Sequence, residues 1–301
     1  MAEPIDEIIQ RVLSVYKGWG RDTTVAQMRA DWDLLFGVEP MQPAPIMERF
    51  DGVEAAWVGR HDLPKDKLFV YLHGGGYQVG SLRSHFDLIC RLSEASESIG
   101  LYVDYRCAPE YPFPAPIEDC LKVYQALLEV GSSPDNIAFV GDSAGGNLAL
   151  ATTLKLKAEN LPLPAAIGLM SPWTDLEANG ESYVTRAGSD PIHNQKMIRR
   201  MAFNYLGGAD AAQPLASPLH GDLSEMPPVF IQVGDRETVL SDACDMAAAI
   251  KAAGGEATCQ VWDRMIHVFQ QFPDELPEAR AAIDGMGAFL RKHIIQKGTG
   301  S

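Results

Sequence analysis

Six short runs rich in β-branched and aromatic residues recur along the chain: LFVYLH (68–73), GLYVDY (100–105), NIAFVGD (136–142), AAIGLMS (165–171), PVFIQVG (228–234) and ATCQVWD (257–263). Longer stretches with helical apolar spacing lie near 84–98, 117–130, 144–160, 239–253 and 275–294. A strand that reads as an unbroken apolar run must be covered on both faces, and parallel neighbours need a helix-length crossover between them. The alternation therefore confines the chain to an α/β fold, a mostly parallel central sheet flanked by helices on both sides. MERF and EAAWVGR (47–50 and 54–60) add an antiparallel hairpin at one edge.

Two intervals depart from this rhythm. Residues 1–45 read as helical segments broken near Gly18, Gly20 and the Pro40, Pro43, Pro45 cluster, with Trp19, Met28, Trp32 and Phe36 supplying apolar faces. About 57 residues separate Ser171 from Pro228, more than one crossover needs, and they include a helix signal of their own, NQKMIRRMAFNYL (194–206). Long insertions in a compact domain tend to be lids or binding loops. These two segments are the candidates to cover a site on the sheet.

The sharpest local pattern is GDSAGG (141–146), which follows the strand IAFV and opens the helical run NLALATTLKLKA. A G-x-S-x-G in a strand–turn–helix context places the serine hydroxyl at the tip of a strained turn, and the flanking glycines let strand and helix approach closely. Ser143 is thus a candidate nucleophile. Upstream, HGGGY (73–77) follows the strand LFVYL. Consecutive glycines leave bare backbone N–H groups free to stabilise a tetrahedral oxyanion, and the N–H of Ala144 at a helix start adds a further donor.

A serine nucleophile needs a base, and on this kind of turn the partners follow in the order Ser, acid, His. Among seven histidines, His61, His73 and His85 come too early, and His193 and His220 precede the strand after which the acid is expected. His293, near the end of the last helix, reads as a solvated charge. His267, in the loop after ATCQVWD, is the remaining candidate base. Asp235 and Glu237 both follow PVFIQVG closely enough to orient an imidazole, and the chain pattern does not separate them. Asp242 and Asp245 read as surface or helix-capping residues.

The formal charge of −15 makes nucleic acid an improbable partner and disfavours a strongly anionic substrate, while a neutral ester or amide is not disfavoured. Five scattered cysteines without a CxxC pair argue against a disulfide framework and a zinc site. An acidic N-terminus and the lack of any long apolar run point to a cytoplasmic protein with no membrane association.

Taken together, HGGGY (73–77), YRCAPEYPFPAPIED (105–119), GDSAGGNLA (141–149), SPWTDL (171–176), GDRETVLSDA (234–243) and HVF (267–269) resemble the bacterial hormone-sensitive-lipase family of carboxylesterases over roughly residues 45–295. The resemblance implies an α/β-hydrolase fold with an α-helical cap. The corresponding division is N-terminal cap helices 1–45, catalytic core 46–176 and 223–296, cap insertion 177–222 and a disordered tail 297–301. It further implies hydrolysis of short- to medium-chain acyl esters through an acyl-enzyme, without a cofactor, and a possible homodimer. Carried over, Ser143, Glu237 and His267 form the triad, and the N–H groups of Gly75, Gly76 and Ala144 form the oxyanion hole. The family's usual acid is Asp, whereas Glu stands at that position here, with Asp235 as the alternative. Arg106, Glu110 and Asp119 are expected to brace loops by ion pairing. Rival readings are an amidase or deacetylase on the same triad, and a non-catalytic ligand-binding protein such as the plant gibberellin receptors, which resemble this family but lack the catalytic histidine.

Overall fold

The computed structural model describes residues 3–20 and 22–294. The strands are β1 (Ile46–Phe50), β2 (Val53–Val58), β3 (Leu68–Leu72), β4 (Ile99–Val103), β5 (Ile137–Asp142), β6 (Ala166–Met170), β7 (Val229–Gly234) and β8 (Ala257–Trp262). The helices are α1 (Pro4–Gly18), α2 (Val25–Phe36), α3 (Leu82–Ser96), α4 (Ala115–Glu129), α5 (Ala144–Ala158), α6 (Ser182–Thr185), α7 (Gln195–Leu206), α8 (Leu240–Ala252) and α9 (Pro277–Ile294). One sheet runs in the order β1-β2-β4-β3-β5-β6-β7-β8. Only the pairings of β1 with β2 and of β2 with β4 are antiparallel, so the hairpin expected at 47–60 is the antiparallel end. The tail expected at 297–301 lies outside the described residues.

The unbroken apolar runs read as two-faced strands, and β3 to β7 are buried along their whole length. Side chains alternate between the faces. Leu68, Val70 and Leu72 of β3 join a cluster with residues of α4, α5 and α8, while Phe69 and Tyr71 join another with residues of α3 and α9. β8 is different because it lies at the sheet edge, where Thr258, Gln260 and Val261 are exposed.

A third cluster ties the N-terminus to the last loops. Ile5, Ile8, Ile9 and Val12, spaced to form one stripe of α1, pack with Met265, Ile266, Phe269 and Phe272. α1 thereby lies against the loop that carries His267. α2, by contrast, has no buried residue. The interval between β6 and β7 holds α6 and α7, and α7 starts where the Asn194 side chain accepts a hydrogen bond from the N–H of Met197.

Candidate active site

β5 delivers Ser143 to the end of the sheet. The residue sits at φ 51°, ψ −118°, a conformation that L side chains rarely adopt. Its N–H is bonded to Met170 O at 2.9 Å, and its carbonyl accepts from Trp173 N at 3.1 Å, so two flanking segments hold the strain. Glycine is required beside it for space. A Cβ on Gly145 would collide with the Leu72 carbonyl, and one on Gly141 with the Gly145 carbonyl.

His267 Nε2 lies 2.9 Å from Ser143 Oγ, and its Nδ1 lies 2.7 Å from Glu237 Oε2. The other carboxylate oxygen, Glu237 Oε1, accepts from Ser171 Oγ at 2.8 Å and from Gly234 N at 2.5 Å. Ser171 Oγ also accepts from Val268 N at 3.1 Å, linking the acid to the histidine loop. Glu237 is 1 % exposed and pairs with this imidazole. Burial opposes protonation of His267, but the Glu237 hydrogen bond and charge, with Asp190 and Asp142 behind them, outweigh it and hold the imidazole pKa above its usual value. Of the two acids left open by the chain pattern, Glu237 reaches the imidazole. Asp235 has a buried Oδ1 without a hydrogen-bond partner, and its N–H bonds to Trp262 O.

The glycine turn stands beside the serine. Gly75 and Gly76 adopt φ 111° and 61°, and both line the same cavity as Ser143 and His267. Gly74 N donates to Asp142 Oδ1 at 2.9 Å, which Tyr71 also reaches at 2.8 Å, so the residue before Ser143 anchors the start of the turn. Ala144 is buried and opens α5. The cavity measures about 850 Å³, within the usual range for a small-molecule site. Its far wall is aromatic, with Tyr16, Trp19, Trp32 and Phe36 from α1, α2 and their junction, and Met197, Met201 and Asn204 come from α7.

Several expectations need correction. Asp242 is 1 % exposed rather than a surface residue, because it accepts from the N–H groups of Thr174 and Asp175 at 2.8 and 2.9 Å. Burial raises its pKa to about 8 against those backbone donors. Arg106 pairs with Asp119 and Glu118, but Glu110 pairs instead with Arg29 of α2. His293 is half-buried, with its ring 4.7 Å from that of Phe289 one turn earlier, so it is not a freely solvated charge.

Two participants escaped the sequence reading. Ser171 looked like a strand terminus. His193 was considered only as a base, yet its ring stands edge-on to His267 with centroids 4.5 Å apart. Burial and the neighbouring His267 push the His193 pKa down to about 3, so it is a neutral neighbour at ordinary pH. Among the described residues, one group brings three metal-type ligand atoms together, Asp175, Glu177 and His220. It does not line the cavity, and both Asp175 oxygens already accept backbone N–H bonds from Glu177 and Asn179.

A mostly parallel eight-stranded sheet with a serine on the turn between β5 and α5 defines an α/β-hydrolase. Comparison with known proteins agrees. The family model described as alpha/beta hydrolase fold matches residues 69–271. An acetyl-hydrolase of Streptomyces hygroscopicus is 43% identical over 295 residues, covering 97% of each chain. An esterase of Acinetobacter venetianus is 34% identical over 224 residues, covering 74% of each. The crystal structure of an esterase from the bacterial hormone-sensitive lipase family superposes with a TM-score of 0.92 at 42% identity, covering 98% of this chain and 100% of that one. The chain belongs to the bacterial hormone-sensitive-lipase family of esterases, and it is a carboxylic ester hydrolase.

Proposed function

We propose that the protein hydrolyses small neutral esters of short- to medium-chain acids through an acyl-enzyme on Ser143. The observation that carries this reading is the continuous hydrogen-bonded line from Ser143 Oγ through His267 to Glu237, opening onto a cavity of about 850 Å³. Ser143 Oγ attacks the ester carbonyl carbon while His267 Nε2 takes its proton. The carbonyl oxygen, now anionic, is held by the N–H groups of Gly75, Gly76 and Ala144. His267 returns the proton to the departing alkoxide, and the alcohol leaves. Water, deprotonated by the same nitrogen, then attacks the acyl carbon and releases the acid and free Ser143. Glu237 keeps the Nδ1 proton in place and stabilises the imidazolium. Segments 1–45 and 177–222 act as the cap over this site, on the core formed by 46–176 and 223–296.

The cavity volume and its aromatic wall support a bounded acyl or alcohol site rather than an open lipid interface. No described helix is long and apolar enough to cross a membrane. The five scattered cysteines form no CxxC pair, which supports a reducing, cytoplasmic setting. A p-nitrophenyl ester series from acetate to laurate, run beside Ser143→Ala, tests the reading. Turnover greatest at short chains and lost by a factor of about 10⁴ to 10⁶ in the variant is expected. A Ser143→Ala protein with ordinary turnover would remove the assignment. The Streptomyces relative's name specifies an acetyl group but not the atom it leaves, so matched acetate ester and acetamide substrates measure whether amides are cleaved in addition to esters.

A further inference from the structure

Three consecutive glycines give a turn little stiffness of its own, because glycine has the largest backbone freedom of any residue. Oxyanion donors, however, are effective only when fixed in advance of the reaction. Within the loop the N–H groups of Gln78 and Val79 bond Gly75 O at 3.1 and 3.0 Å, so the shape of residues 74–76 depends on where residues 77–79 are held, and the structure shows what holds them.

α2 supplies one side. Although it has no buried residue, its polar ties converge on the residues flanking the glycine turn. Arg29 Nε donates to Gln78 O at 2.8 Å, and its Nη2 donates to Ala108 O at 3.1 Å. The same guanidinium is forked onto Glu110 at 2.9 and 2.7 Å. One turn on, Asp33 Oδ1 accepts from Ser81 Oγ at 2.6 Å, and Ser81 is the residue that caps α3. Ala108 N in turn donates to Tyr77 O at 2.8 Å, closing the path from Arg29 back to the turn.

α7 supplies the other side. Asn204 Nδ2 donates to Gln78 Oε1 at 2.7 Å, while Gln78 Nε2 reaches Gly76 O at 3.4 Å. The next residue, Tyr205, stacks on Tyr77 with ring centroids 3.6 Å apart and planes within 5°. Gly76 itself has the Met201 side chain where a Cβ would stand.

We propose that Arg29 and Asn204 are positioning residues of the ester hydrolysis, gripping Gln78 from the two halves of the cap so that the Gly75 and Gly76 N–H groups stay aimed at the reacting carbonyl oxygen. Cap docking then sets the rate of the chemical step and does more than enclose the substrate. The inference rests on the proposed catalytic reading and adds these two residues to it.

The test uses the full chain with Arg29→Gln, Arg29→Lys and Asn204→Ala, each measured for kcat and KM on p-nitrophenyl butyrate. The inhibition constant of an alkylboronic acid, whose tetrahedral serine adduct places an oxygen in the oxyanion site, is measured alongside. Misaligning donors without deleting them should lower kcat about 10- to 100-fold, somewhat less than loss of a whole donor. KM should stay within about twofold, and boronate binding should weaken by the same factor as kcat. Arg29→Lys should recover only part of the loss, because an ammonium cannot fork onto Glu110 while reaching two carbonyls. A kcat within about twofold of wild type, a loss confined to KM, or unchanged boronate binding would each overturn the proposal. If Arg29→Gln does not fold, Asn204→Ala decides by the same criteria. A wild type lacking Ser143-dependent ester turnover would overturn the catalytic reading itself, whereas normal wild-type turnover with variants that match it in kcat overturns this inference alone.

Discussion

Replacing Glu237 by Gln changes one atom's chemistry and leaves the packing almost intact. Glu237 Oε1 accepts two donors, Ser171 Oγ and Gly234 N. The Gly234 N–H has no alternative role, so the glutamine must put its carbonyl oxygen there. Its NH₂ then faces His267 Nδ1 at the position Oε2 holds, 2.7 Å away. A donor opposite Nδ1 makes that nitrogen the acceptor and moves the ring proton to Nε2, which faces Ser143 Oγ at 2.9 Å. An N–H there cannot take the serine proton. Loss of the right tautomer in a serine triad costs a factor of about 10⁴ in turnover, which is about 5.5 kcal/mol of transition-state stabilisation. Removing the carboxylate also takes away the charge that outweighs burial, so residual activity should show its acid limb at lower pH than wild type. The assay is kcat on p-nitrophenyl butyrate across pH 4.5–9 (roughly the range over which imidazole titrates), with near-ultraviolet circular dichroism to establish folding. Asp235→Asn, which does not contact the imidazole, should stay within about threefold of wild type. A folded Glu237→Gln protein losing less than about 30-fold, or an equal loss from Asp235→Asn, would refute the reasoning.

Three further outcomes follow from the same geometry. In wild type the base works only when neutral and its pKa is raised, so kcat should fall with decreasing pH through a midpoint above about 6.5; a rate independent of pH from 8 down to 5 would contradict the role of His267. Ser143→Gly removes an L side chain from φ 51°, which relieves roughly 1–3 kcal/mol of strain against about 1 kcal/mol of added chain entropy, so the inactive variant should melt at or slightly above the wild-type temperature, and a clear fall in Tm would show the turn to be unstrained. Asp242 has a folded pKa raised to about 8 by burial, so the stability it contributes is fully present below its unfolded value and is lost as pH rises through 8. Asp242→Asn should therefore flatten the decline in Tm between pH 6 and pH 9, and an unchanged decline would place its origin elsewhere.

What the sequence determined was whatever depends on neighbours along the chain. The buried strands carry continuous apolar runs because both their faces are covered, and the turn at Ser143 needs Gly141 and Gly145 because backbone passes where side chains would stand. Both patterns are local, so the sheet, its helices and the position of Ser143 were legible without coordinates. The order of partners after the serine narrowed the candidate base to His267 by elimination. The choice between Asp235 and Glu237 was of another kind, left open by the chain pattern and tipped to Glu237 by the family resemblance. Two residues apart on one loop, they diverge in side-chain direction, and only the folded turn after β7 points Glu237 at Nδ1. Tertiary structure alone also decided that Ser171 joins the acid to the histidine loop, that His193 stands edge-on to His267, and that Asp242 is interior. Arg29 is the clearest case. It reads as one polar residue on an exposed helix, and its partners Gln78 and Glu110 lie 49 and 81 positions away. Contacts at such separations leave no periodicity in the chain, because they are set by how the elements pack and not by the residues beside them.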